Sequence, residues 1–113
     1  MKDPLLFVKH IDESIDRILS FSKGIDKAGF MKDEMLQSAV IRQIEIIGEA
    51  VKNLPKEFCE RYPDIPWSKI AKTRDKMAHH YFGVDLDLVY GIIRKEIPKI
   101  KTQIKRILKI NGS

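Results

Sequence analysis

The sequence predicts an all-α fold, an up-and-down bundle of about four main helices with residues 1–113 forming a single domain. Three observations carry this expectation. Apolar residues recur at spacings of three and four along most of the chain. Glycines and prolines cluster between those stretches, and no segment shows the strict alternation of a half-buried strand. A chain of 113 residues can enclose one hydrophobic core and is too short for two.

Asp3-Pro4 reads as a helix start, because Asp can cap and Pro fits the first helical position, where its missing N–H costs nothing. Val8, Ile11, Ile15, Ile18 and Leu19 then give a first helix to about Phe21 or Ser22. Gly24 and Gly29 punctuate the stretch from Ser22 to Lys32, which reads as a connection. Asp33 opens the second helix. Its stripe is Leu36, Val40, Ile44, Ile47, Val51 and Leu54, widened by Ala39, Ile46 and Ala50, so the helix is expected to bury more than one face. Gly48, inside that helix, costs about 1 kcal/mol of propensity relative to Ala, and close approach of a neighbouring helix would compensate. Pro55 stops the helix, and residues 55–66, with three prolines, read as a rigid connector. Trp67-Ser68 opens a third helix carrying Trp67, Ile70, Ala71, Met77 and Ala78, which Gly83 ends or bends. Asp85 or Asp87 can cap a fourth helix, whose isoleucine-rich stripe runs to Leu108 with Pro98 inside it, so a kink is expected there.

Apolar residues make up 43% and charged residues 33% of the chain, the balance of a folded domain rather than a disordered one. No apolar run approaches the roughly 18 residues that a membrane span needs. Met1-Lys2-Asp3-Pro4 lacks the basic-then-apolar layout of a signal peptide. The single cysteine, Cys59, cannot form an internal disulfide and belongs to no metal-ligand cluster, so burial is expected for it. A cytoplasmic protein without membrane contact, metal or cofactor is expected. The net charge of +5 favours a polyanionic partner, but an Ile/Lys/Glu-rich composition also occurs in thermophile proteins. Much of that charge lies on the last helix, at Arg94, Lys95, Lys99, Lys101, Lys105, Arg106 and Lys109. It could attract RNA or simply form a solvated face.

The chemistry-bearing segment is Thr73-Arg74-Asp75-Lys76-Met77-Ala78-His79-His80-Tyr81-Phe82. Arg supplies a permanent charge and a planar donor fork suited to phosphate oxygens. His moves protons in either direction near neutral pH. Metal-free RNA cleavage needs a base for the ribose 2′-hydroxyl, an acid for the leaving oxygen and a cation for the charge that builds on phosphorus. Arg74 and His79 are therefore the candidate catalytic residues. On a regular helix they lie about 140° apart, whereas Arg74 and Tyr81 share a face. Either the helix distorts near Ala78, or two copies face each other and each contributes a residue. A plainer reading remains open, with a His pair at a helix end, a surface Arg74–Asp75 ion pair and Tyr81-Phe82 in the core. His80 could be a second proton carrier or a solvated side chain. Arg42, Glu45 and Glu49 could orient Arg74 or His79, or form an ordinary ion-pair network. His10, beside core positions on the first helix, reads as structural.

The pattern Arg74, four residues, His79, one residue, Tyr81 resembles the signature of the HepT family, within the HEPN superfamily of helical ribonucleases. The likeness extends to Ala39–Ala50, to Pro66–Ala71 with Thr73–Lys76, and to Glu96-Ile97-Pro98, in the family's order and without departure at the motif positions. The resemblance implies a toxin of a toxin–antitoxin pair, a homodimer with its cleft at the interface, cutting RNA without a required metal. It implies catalytic roles for Arg74 and His79. It also implies modification of the Tyr81 hydroxyl by AMP, transferred from ATP by a minimal nucleotidyltransferase antitoxin. Bulky, anionic AMP beside Arg74 would exclude an RNA phosphate. The other function to weigh is a non-catalytic subunit that binds a substrate or partner for a separate nucleotidyltransferase.

Overall fold

A computed structural model describes residues 3–79 and 84–112, with Ala78 and His79 described by their backbone alone. Among the described residues the chain is helical and has no strand. The segments are α1 (Pro4–Phe21), α2 (Lys27–Lys32), α3 (Glu34–Lys52), α4 (Lys56–Arg61), α5 (Trp67–His79), α6 (Leu86–Gly91), a π-helical turn (Ile92–Glu96) and α7 (Ile97–Ile110). The last three run on without a break, so four long bodies make the bundle, as the apolar spacing predicts. Among the described residues no helix is long and apolar enough to cross a membrane.

The helix starts follow their capping chemistry. The side chains of Asp3, Asp33 and Asp85 accept hydrogen bonds from the backbone N–H groups of Leu5, Leu36 and Leu88 at 3.0, 2.9 and 3.1 Å. Of the two candidate caps for the fourth helix, Asp85 is the one used.

Two expected connections contain short helices. In the first, Asp26 caps α2 through the Gly29 N–H at 2.8 Å, and Phe30 is driven fully into the core. In the second, Pro55 starts α4, which buries Phe58 beside Tyr62 and Trp67. At Pro98, where a kink is expected, the structure has a π turn just before the proline. Pro98 has no N–H to return to the Arg94 carbonyl, and the Ile97 N–H reaches back five residues to the Ile92 carbonyl.

The core is made by the Val8/Ile11/Ile15/Ile18 stripe of α1, the Val40/Ile44/Ile47/Val51 stripe of α3 and the isoleucines of α7. α1 packs on both α3 and α7, and α3 carries α5 on its other side. Lys105 pairs with Asp12 and Asp16 at 2.9 and 3.2 Å, and Lys101 with Asp16 at 4.0 Å, which makes α1 and α7 antiparallel. The two aspartates raise the affinity of Lys105 for its proton, Asp12 most through its hydrogen bond.

Candidate active site

α5 is placed by its seating on α3, and Gly48 is the seat. A Cβ built on Gly48 would lie 2.5 Å from Arg74 Cγ, closer still to Arg74 Cβ, and 3.4 Å from its Cα. No side chain fits there, so Gly48 is where the two backbones close together. The close approach expected from a glycine in mid-helix is thus found, and the residue it admits is Arg74.

From that seat the Arg74 guanidinium reaches two carboxylates, Glu49 at 3.3 Å through Nη2 and Asp75 at 3.5 Å through Nη1. Lys52, one turn after Gly48 on α3, closes the cluster by bonding the same Asp75 oxygen. The hydrogen bond from Lys52 and the neighbouring charges of Lys52 and Arg74 hold the Asp75 carboxyl below the usual carboxylate range. Arg74 Nε is sealed from solvent without a partner among the described residues, while the side chain as a whole keeps 28% of its exposure. The Nη groups, each already paired with a carboxylate, are therefore the part of the guanidinium left to meet solvent.

Of the three α3 residues considered as supports, Glu49 touches Arg74. Arg42 is exposed and Glu45 half-buried, and neither pairs with Arg74. α5 is α-helical from Arg74 through His79, so the distortion near Ala78 that would have brought the two together on one helix is absent. The side chain of His79 and all of His80 and Tyr81 lie outside the described residues, as does Gly83. His10 is exposed rather than enclosed, with its ring edge-on to Phe7. Cys59 is half-buried, and burial pushes its thiol pKa up, which disfavours the thiolate.

Beside α5 lies an apolar cleft of about 320 Å³ between α3, α5 and the C-terminal helices. Ile44, Ile47, Ile70 and Ile100 wall it, and the Lys69–Glu96 ion pair, at 3.3 Å, crosses its rim. Among the described residues no group of three His, Cys, Asp or Glu side chains is arranged to hold a metal ion. Sequence reasoning missed Lys52, whose only signal is its position one helical turn from Gly48.

A family model described as "Ribonuclease HepT-like" matches residues 11–107, a span that includes all of the α3–α5 contact. The chain belongs to the HepT-like ribonuclease family. Among relatives of this HepT-like protein is "Putative RNase TTE0752" of Caldanaerobacter subterraneus subsp. tengcongensis, 46% identical over 96% of each chain. "Probable ribonuclease HepT" of Thermococcus cleftensis is 40% identical over 91% of this chain and 94% of its own. "Gamma-glutamylcyclotransferase and putative RNase MJ0434" of Methanocaldococcus jannaschii is 48% identical over 95% of this chain. The chain spans about half (48%) of that relative's length. No solved structure matches the chain.

Proposed function

We propose that this HepT-like protein is an endoribonuclease whose site combines Arg74 of one copy with His79 of a second. The observation that carries the reading is the seating of Arg74. Its side chain is seated at Gly48 and its two Nη groups are held by Glu49 and Asp75, so a phosphate would meet a guanidinium already oriented and would share its remaining N–H donors with those carboxylates. The unbroken helix from Arg74 to His79 supports a composite site, since positions about 140° apart do not converge on one phosphodiester from one helix.

In that site an imidazole takes the proton of the ribose 2′-hydroxyl, whose oxygen attacks the adjacent phosphorus. The 5′-oxygen leaves with a proton from an imidazolium, and Arg74 balances the charge on the phosphoryl oxygens. The products are a 2′,3′-cyclic phosphate and a 5′-hydroxyl, and no step calls for a metal. Glu49 and Asp75 act as positioning residues, limiting the rotamers open to Arg74.

The same reading makes the protein a toxin, silenced when a minimal nucleotidyltransferase antitoxin attaches AMP to Tyr81. This part rests on the Arg74/His79/Tyr81 spacing and on family membership. The test is incubation with RNA, with and without EDTA, of wild type, Arg74→Ala and His79→Ala. Cleavage by wild type in both conditions, ending in cyclic phosphate and lost in both variants, is expected. Equal cleavage by all three removes the assignment, and a wild type that binds a nucleotidyltransferase but cuts no RNA makes the protein a binding subunit.

A further inference from the structure

Of the seven cations of the C-terminal helices, the obvious RNA-attracting face in the sequence, four are engaged within the fold. Lys101 and Lys105 pair with Asp12 and Asp16 of α1, and Arg106 pairs with Asp64 at 3.5 Å. Arg94 lies over the Tyr90 ring, bonds its hydroxyl and donates to the Ile25 carbonyl. Those charges face carboxylates or close contacts already, so they attract a further anion weakly.

A different surface gathers its cations along one open groove. An open groove of about 830 Å³ runs along α4 and α5, and its walls carry Lys56, Lys69, Lys72 and Lys76. All four are exposed. Lys56 is opposed by Glu60 at 4.0 Å and Lys69 by Glu96 at 3.3 Å, while Lys72 and Lys76 have no carboxylate within ion-pair reach among the described residues. Thr73, Trp67 and Glu60 are also among its lining residues. The indole N–H of Trp67 is bound to the Cys59 and Tyr62 carbonyls at 3.2 and 3.0 Å, which fixes the ring as a rigid apolar surface.

Position along the helix gives the groove its direction. Lys69, Lys72 and Lys76 follow one another at spacings of three and four, a stripe about 10 Å long. The next position on that stripe is 79. Arg74 points the other way, into α3.

We infer that this lysine groove is the track for the substrate strand, holding the phosphates of single-stranded RNA and delivering the chain to the end of α5. The inference rests on the ribonuclease reading for its substrate. It adds a binding surface, distinct from the Arg74 cluster, that fixes where the strand lies. A row of lysines with an aromatic wall suits a flexible strand, because phosphates meet mobile ammonium groups and a base can rest on the ring.

The experiment titrates a short fluorescein-labelled single-stranded RNA by anisotropy at several salt concentrations. It uses His79→Ala protein, with and without Lys72→Ala/Lys76→Ala. A matched control carries Lys99→Ala/Lys109→Ala, which removes the same charge from exposed positions outside the groove. The groove pair is expected to weaken binding about tenfold at low salt and to flatten the slope of log K against log salt by about 1.4, while the control changes the slope far less. In cleaving protein the groove pair raises KM and leaves kcat. Equal losses in both pairs, an unchanged slope, or no RNA binding at all overturns the track. The two readings fail separately. RNA bound through the groove by a chain that never cleaves keeps the track and removes the nuclease, and cleavage indifferent to the groove pair does the reverse. If the groove serves an acidic protein instead, RNA affinity is unmoved in both pairs.

Discussion

Replacing Gly48 by alanine adds one methyl group at the point where α3 and α5 touch. That carbon would sit 2.5 Å from Arg74 Cγ, and ordinary carbon contacts need about 3.5 Å, so the helices must part by about 1 Å or more. The atoms in the way are next to the Arg74 backbone rather than at the end of a flexible side chain, which places the overpacking cost near the upper end of its usual range, about 3 kcal/mol. Alanine returns about 1 kcal/mol of helix propensity, leaving a net loss of about 2 kcal/mol. For a chain of this size each kcal/mol moves the melting temperature by about 4 °C, so a fall of about 8 °C is expected. A displacement of about 1 Å in a catalytic group can cost about a hundredfold in rate. The two effects are separated by pairing a thermal melt followed by circular dichroism with single-turnover RNA cleavage well below both melting temperatures. An unchanged or raised melting temperature with an undiminished rate would refute the close contact and the site built on it. A lower melting temperature with the wild-type rate per folded molecule would make Gly48 a packing residue only.

Other outcomes follow from the same cluster and its surroundings. Glu49→Gln removes the Nη2 ion pair; cleavage kinetics should show kcat down about tenfold with KM little changed, while the pair's exposure keeps the stability loss at about 0.5 kcal/mol or less. Asp75 has a depressed carboxyl pKa, so its contribution to stability is present above the ordinary carboxylate value near about 4 and is lost as pH falls through its own lower value. Melting temperatures of wild type and Asp75→Asn should accordingly differ at neutral pH and converge in acid. Cys59, with its thiol pKa raised by burial, should be alkylated by iodoacetamide more slowly in the folded protein than in urea, as mass spectrometry can follow.

The long helices were legible because caps and stripes agree: Asp3 with Pro4, Asp33 with the Leu36-to-Val51 run, and Asp85 at the start of the last body. α2 and α4 were not, since six residues complete fewer than two turns and each sinks a single large side chain, Phe30 or Phe58. The π turn left a fainter trace. Val89, Ile93 and Ile97 are all buried at two successive spacings of four. On a plain α-helix those steps would carry the stripe about 80° off the core, and a wider turn restores it. At the site, Gly48 announced a close approach without naming its partner. The pairing of Arg74 with Glu49 stayed undecided, because helical spacing puts Arg42, Glu45 and Glu49 on nearly equal terms and only the crossing of α3 by α5 separates them. The lysine groove was invisible for a related reason: Lys56 comes from a segment read as a connector, and the carboxylates that occupy the C-terminal cations lie as far away in sequence as Asp12 and Asp16.

The antiparallel pairing of α1 with α7 brings the two ends of the described chain to one place. Asp3, Pro4 and Leu5 line the same surface hollow as Asn111. A polypeptide can therefore enter and leave this fold through a single doorway, and can carry another unit there without rerouting a helix. Such a layout suits modular use. The relative from Methanocaldococcus jannaschii, whose name joins two activities on a chain about twice as long, is an architecture that doorway would permit.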